Sequence, residues 1–159
     1  MADETGAEAL AAQIASRAKG GEVTTIATSE SLTGGNISCL LGAAPDSAGW
    51  FRGSIVAYSS DVKYGLLEVP SGPVVSAAAA QAMAASTAKL LDADVTVAVT
   101  GVGGPDPQDG IAPGTVWFGL AVDGTVRAEV QHFRGEPDEI VELTTRHALE
   151  LVIGALRAR

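Results

Sequence analysis

VTVAVT, residues 95–100, constrains the fold more than any other stretch of the chain. A strand that is apolar on both faces must be covered on both faces. That demands a sheet with helices above and below it, and the rest of the sequence reads as their source. Residues 4–19 read as an amphipathic helix, because Leu10, Ile14 and Ala18 recur four apart, and Gly20-Gly21 stops it. VTTIATS (23–29) is a β-branched strand that ends in ESLTGGN, a tight turn, before the apolar stretch ISCLLGAA of helical length. GSIVAYS (53–59) reads as a strand, SDVKYGLL (60–67) as a short helix and PSGP (70–73) as a turn. Ser76 caps an alanine-rich helix that runs to about Leu91.

Beyond the apolar strand lies a Gly/Pro loop, GVGGPDPQDGIAPG. TVWFGLAV (115–122) and VRAEVQHF (126–133) then flank Asp123-Gly124, the strongest hairpin signal present. Residues 138–157 read as a last helix, with Ile140, Leu143, Ala148, Leu151, Val152 and Ala155 on its buried side. The order is α β α β α α β β β α. The hairpin requires an antiparallel pair among strands otherwise joined through helices. The expected architecture is α/β: one three-layer α/β/α sandwich over residues 1–159, on a mixed, mostly parallel sheet of about five strands.

A chain of 159 residues fits one domain, and 47% hydrophobic against 18% charged residues excludes disorder. A net charge of −9 makes nucleic acid and anionic membranes poor partners for the surface as a whole. No apolar run reaches the ~18 residues of a membrane span. The start, MADETGAEALAAQ, lacks the basic and apolar regions of a secretory signal, so a soluble, cytoplasmic protein is expected. Cys39 is the single cysteine, which excludes an internal disulfide and a multi-cysteine metal site. His132 and His147 have no metal-ligand spacing, so neither a metal nor a cofactor is expected. The apolar content and the alanine-rich segment 76–91 lead us to expect a homo-oligomer.

Three segments could carry chemistry. Ser31 stands at a strand-to-helix turn before Gly34-Gly35, where it can expose its hydroxyl above unpaired backbone N–H groups; the same string also serves as a plain helix cap. Glu30 beside it could orient the site or remain an exposed acid. Lys63 is one of three lysines and lies among Val62, Tyr64, Leu66 and Leu67. Held away from water, it would lose its proton readily and act as a base. Otherwise it is a solvated lysine with its stem on an apolar face. Thr100 ends the apolar strand, where ligands gather in open α/β sheets, and Gly101, Gly103 and Gly104 would let backbone approach one. GVGGP is not GxGxxG, so a dinucleotide fingerprint is rejected.

Together these segments resemble the C-terminal domain of the competence/damage-inducible protein CinA, a family also known as nicotinamide-nucleotide amidohydrolase. TSESLTGG resembles the family's AESCTGG, and YSSDVKYGLLEVP its YSNxxKxxxLGV pattern. TGVGGPDPQDGIAPGTVWFGLA and FRGEPDEIVELTTRHAL are similar to TGIAGPxGG…KPVGTVWxA and FxGxRxxVRxxTxxxAL. The resemblance implies an α/β/α fold similar to the anticodon-binding-domain type. It implies hydrolysis of the carboxamide of nicotinamide mononucleotide (NMN), a small-molecule pyridine nucleotide, to nicotinate mononucleotide and ammonia. It also implies a serine–lysine dyad of Ser31 and Lys63, assisted by Tyr58 and Thr100, with backbone N–H groups near Thr33, Gly34 and Gly35 holding an oxyanion or a phosphate. Leu32 stands where the family has cysteine, Gly103 where it has alanine, and Pro137 and Val141 where it has arginines. NMN affinity weaker than that of an arginine-bearing relative is expected, unless Arg146 or Arg52 reaches the pocket instead. Three readings stay open: an active NMN deamidase, a non-catalytic nucleotide-binding or scaffold relative, and an amidase for an unphosphorylated substrate.

Overall fold

The computed structural model describes residues 5–159. Its elements are α1 (Ala7–Ala18), β1 (Ile26–Glu30), α2 (Asn36–Ala43), β2 (Phe51–Val56), α3 (Ser60–Gly65), α4 (Ala77–Leu91), β3 (Val95–Gly101), β4 (Thr115–Val122), β5 (Thr125–His132) and α5 (Pro137–Ala158), with one 3-10 turn at Ser47–Gly49. The order is the one expected; residue 4, the expected start of the first helix, lies outside the described residues. The sheet order is β2-β1-β3-β4-β5. β1 pairs in parallel with β2 and β3, whereas β3–β4 and β4–β5 are antiparallel. Four of the five strands therefore run one way and β4 alone runs against them, as the Asp123-Gly124 hairpin requires.

β3 is buried along Val95–Thr100 because it is covered twice. Val95, Val97 and Val99 enter a large core with α1, α2 and α5, while Ala98 enters a second core with Ala79, Met83 and Ala84 of α4. This alternation is the period of two that every strand imposes. No described helix is long and apolar enough to cross a membrane.

Two strands are shifted by more than one residue from their expected limits. β2 starts at Phe51, because Phe51 pairs with Ile26, and it ends before Tyr58, because Ser59 turns to cap α3 by accepting from the Asp61 N–H. β1 begins at Ile26, because Thr24 and Thr25 are held elsewhere: the Thr24 N–H donates to the Ala18 carbonyl, and Thr25 donates to the Asp94 carboxylate. On α5, Leu143 and Leu151 are only half-buried. Thr144, Thr145, Leu149 and Ile153 are buried in addition to the expected positions. The threonines are accommodated because their hydroxyls donate to the carbonyls of Ile140 and Val141 one turn back.

The alanines of α4 have a specific use. A Cβ on Gly119 of β4 would come within 2.1 Å of the Ala80 carbonyl oxygen, so helix and strand backbones are nearly in contact. The inner alanines of α4, Ala79, Ala80 and Ala84, thus pack on their own sheet, while Ala78 and Ala85 remain exposed. Gly119→Ala is expected to destabilise the protein by about 1–3 kcal/mol or more through overpacking. Gly42→Ala, in open space on α2, should stabilise it by about 0.4–1 kcal/mol. Urea denaturation of the two variants checks the contrast.

Candidate active site

The carboxyl ends of β1, β2 and β3 lie along one edge of the sheet, ending at Glu30, Val56 and Gly101. A cavity of about 450 Å³ opens there. Ser31 and Leu32 line it from the turn after β1, and Tyr58, Ser60 and Lys63 from the β2–α3 segment. The loop after β3 contributes Gly101 to Gly104, Asp106, Pro107 and Gln108, and the first turns of α5 contribute Pro137 and Val141. Four separate segments thus converge on the expected serine, tyrosine and lysine.

Lys63 is the least ordinary of these side chains. α3 turns Val62, Tyr64 and Leu66 outward, at 36%, 38% and 49% exposed, and leaves Lys63 only 4% exposed. Its amphipathicity is inverted: the apolar residues face water and the cation faces the cavity. Burial pulls the Lys63 pKa below its ordinary 10.5, because the charged form loses hydration. Among the described residues no carboxylate pairs with it to reverse that effect. Ser31 is also buried, and its hydroxyl makes no hydrogen bond within the described residues, leaving it free for a ligand.

Glu30 neither faces the cavity nor lies exposed. It is fully buried, and its carboxylate accepts from the Thr33 hydroxyl at 2.7 Å, the Ile37 N–H at 3.0 Å, the Ser38 N–H at 2.9 Å and the Ser54 hydroxyl at 3.3 Å. It caps α2 from the preceding strand. Of the N–H groups expected to receive an anion, that of Gly34 is already occupied, because it donates to the Ser31 carbonyl. Gly34 and Gly35 instead serve the turn, with φ of 56° and 106°. None of Glu30, Thr33, Gly34 or Gly35 lines the cavity.

Thr100 is fully buried, and its hydroxyl donates to the Val74 carbonyl at 2.6 Å, so it ties the segment before α4 to β3 rather than lining the cavity. Gly101 lines the cavity, but its lack of a side chain is required by β4: a Cβ there would meet the Thr115 carbonyl oxygen at 2.8 Å. Arg146 does not line the cavity, and its Nε is buried without a partner among the described residues. Arg52 sits at the opposite edge of the sheet, where its Nε donates to the Leu91 carbonyl. Pro137 and Val141 do line the cavity, so the positions noted as departures from the resemblance are walls of the site.

Ser60, Asp106, Pro107 and Gln108 were not anticipated. The Gly/Pro loop was visible in the sequence, but which of its side chains turn toward Ser31 depends on how the loop folds back. A Gln108–Ile111 bridge closes that loop on itself, with the Gln108 and Ile111 N–H groups each donating to the other's carbonyl.

Residues 7–156 match the CinA C-terminal domain family. The chain belongs to this family. It is 37% identical over 139 residues to a competence-damage inducible protein of Lacticaseibacillus casei, covering 84% of this chain and 34% of that protein. It is 34% identical over 137 residues to protein YdeJ of Escherichia coli, covering 82% of this chain and 80% of that one. Among solved structures, a competence or damage-inducible protein from Enterobacter asburiae superposes with a TM-score of 0.91 at 29% identity, over 95% of this chain and 98% of the other. The chain thus spans about a third of the length of the Lacticaseibacillus relative. For a CinA domain the cap made by Glu30 is a measurable feature. Glu30→Ala would strand the Ile37 and Ser38 N–H groups and the Thr33 hydroxyl, and should lower stability by about 1–3 kcal/mol. Thermal unfolding of that variant beside Ser31→Ala, which should unfold near the wild-type temperature, separates the cap from the cavity.

Proposed function

We propose that this chain is an amidohydrolase in which Ser31 attacks a carboxamide carbon and Lys63 acts as the base. NMN is the substrate that the family resemblance puts first. The observation that carries the reading is a buried lysine without a counter-ion facing the same cavity as a serine hydroxyl without a partner. Neutral Lys63 Nζ takes the Ser31 proton as Oγ bonds to the carbonyl carbon. The ammonium then delivers that proton to the amide nitrogen as the C–N bond breaks, releasing ammonia and leaving an ester on Ser31. Water, deprotonated by the same amine, cleaves the ester to nicotinate mononucleotide and restores Ser31. The N–H groups of Leu32 and Gly103 are the candidate oxyanion donors, because both residues line the cavity and neither N–H has an internal acceptor among the described residues.

The pH dependence follows from the sign of the Lys63 shift. A base must be deprotonated to accept a proton, so turnover should rise with pH through the lowered Lys63 pKa and level off above it. Stability shares the window. The unfolded lysine holds its proton up to about 10.5, so between the folded pKa and that value the unfolded state binds more protons and stability rises with pH. Ammonia release from NMN, followed across pH for wild type, Ser31→Ala and Lys63→Arg, tests the mechanism. Both variants should be inactive and folded, since arginine stays charged. Normal turnover by Lys63→Arg would remove Lys63 from the role of base.

A second reading, a nucleotide-binding relative without turnover, is favoured by one observation: the cavity wall holds Pro137 and Val141 and no arginine. Arginine binds phosphate through two parallel hydrogen bonds, which neither residue can make. Val141→Arg should tighten NMN binding about tenfold, the worth of one charge-assisted hydrogen bond, and leave nicotinamide riboside unchanged. Equal effects on both ligands would mean that residue 141 does not meet the phosphate.

A further inference from the structure

The charges in the cavity wall run opposite to what a phosphate needs. Among the described residues, Lys63 and Asp106 are the charged ones that line it. Lys63 cannot be both the neutral base and the counter-charge of a phosphate. Asp106 has no hydrogen bond or ion pair among the described residues, so its carboxylate is free to meet a ligand. Arg134, on the segment just before Pro137, is exposed and does not line the cavity. The cavity is also lined by an aromatic residue, Tyr58, which is 74% exposed.

A free carboxylate and an open aromatic ring in one cavity suit a flat cation: the first attracts positive charge and the second accepts it over its face. We infer that this cavity selects its substrate by the positive charge of an N-substituted pyridinium carboxamide, through Asp106 and Tyr58, and gains no affinity from a 5′-phosphate. The inference rests on the amidohydrolase reading for the identity of the reacting group and adds the substrate class. Asp106 is a specificity-determining residue in this scheme: it holds the ring and takes no part in proton transfer. Among the described residues no arginine stands in the cavity wall to meet a phosphate on the same ligand.

The test is calorimetric binding to the Ser31→Ala protein, which removes turnover. Four probes separate the two charges: nicotinamide, 1-methylnicotinamide, nicotinamide riboside and NMN. The cationic 1-methylnicotinamide is expected to bind about tenfold tighter than neutral nicotinamide, from one exposed ion pair and one cation–π contact. Adding Asp106→Asn should shrink that preference about three- to fivefold and leave nicotinamide itself unchanged. The riboside should bind at least as tightly as NMN. The inference is overturned if NMN binds more than about tenfold tighter than the riboside, the gain expected of a phosphate–cation contact. It is equally overturned if Asp106→Asn leaves the cationic preference intact, or if none of the four probes binds. Ammonia assays on the wild-type protein with the riboside and NMN report on the other reading. Charge-selective binding without ammonia release would sink the amidohydrolase proposal and leave the selectivity standing.

Discussion

The Glu30 carboxylate holds the functional edge of this molecule together. It ends β1, accepts from two N–H groups of α2 and the Thr33 hydroxyl, and reaches Ser54 of β2, which in turn accepts from Thr28. A fully buried carboxylate is tolerated only when its oxygens are hydrogen-bonded, and four donors meet that condition here. The consequence for the site is positional. Glu30 is turned into the core, and the next residue, Ser31, opens the turn that lines the cavity. The turn at Gly34 and Gly35, both at positive φ, then returns the chain to α2.

The second constraint is the inversion of α3. A six-residue helix has little stability of its own and depends on its surroundings. Here Ser59 caps one end, and the Lys63 carbonyl accepts from the Val69 N–H at the other, while Leu67 and Val69 anchor the following segment in the core under α4. These contacts orient the helix so that its lysine, rather than its valine or tyrosine, faces inward. The cost of burying an amine is reduced when the amine is neutral, which is the form a base requires. Structural position and chemical state are therefore set by the same burial.

Position 141 shows how one helix can serve the fold and the site separately. Val141 lies on the first turns of α5, where the helix contributes both to the core, through Ile140, and to the cavity wall. The core contact maintains the helix whatever residue follows it. The wall residue therefore bears on what the cavity can bind and not on the architecture.

Element order, the two-sided burial of β3 and the β4–β5 hairpin were legible in the sequence, and the motif strings that resemble the CinA domain named Ser31 and Lys63, which line one cavity. Each depends on local periodicity, turn chemistry or motif strings, which short-range sterics and hydrophobic patterning encode directly. Cap identity, helix facing and loop reach were not. Glu30 reads as an acid beside a serine until β2 and α2 close over it. Thr100 reads as a ligand-facing hydroxyl until the chain before α4 offers it the Val74 carbonyl. Gly101 reads as room for a ligand until β4 proves to fill that space. Asp106 and Gln108 read as polar loop residues until the loop folds back over the cavity. In every one of these cases the deciding partner is distant in sequence or belongs to a different element. Hydrogen-bond satisfaction and steric contact across such distances are settled only when the whole sheet and its helices pack, so tertiary structure alone decided them.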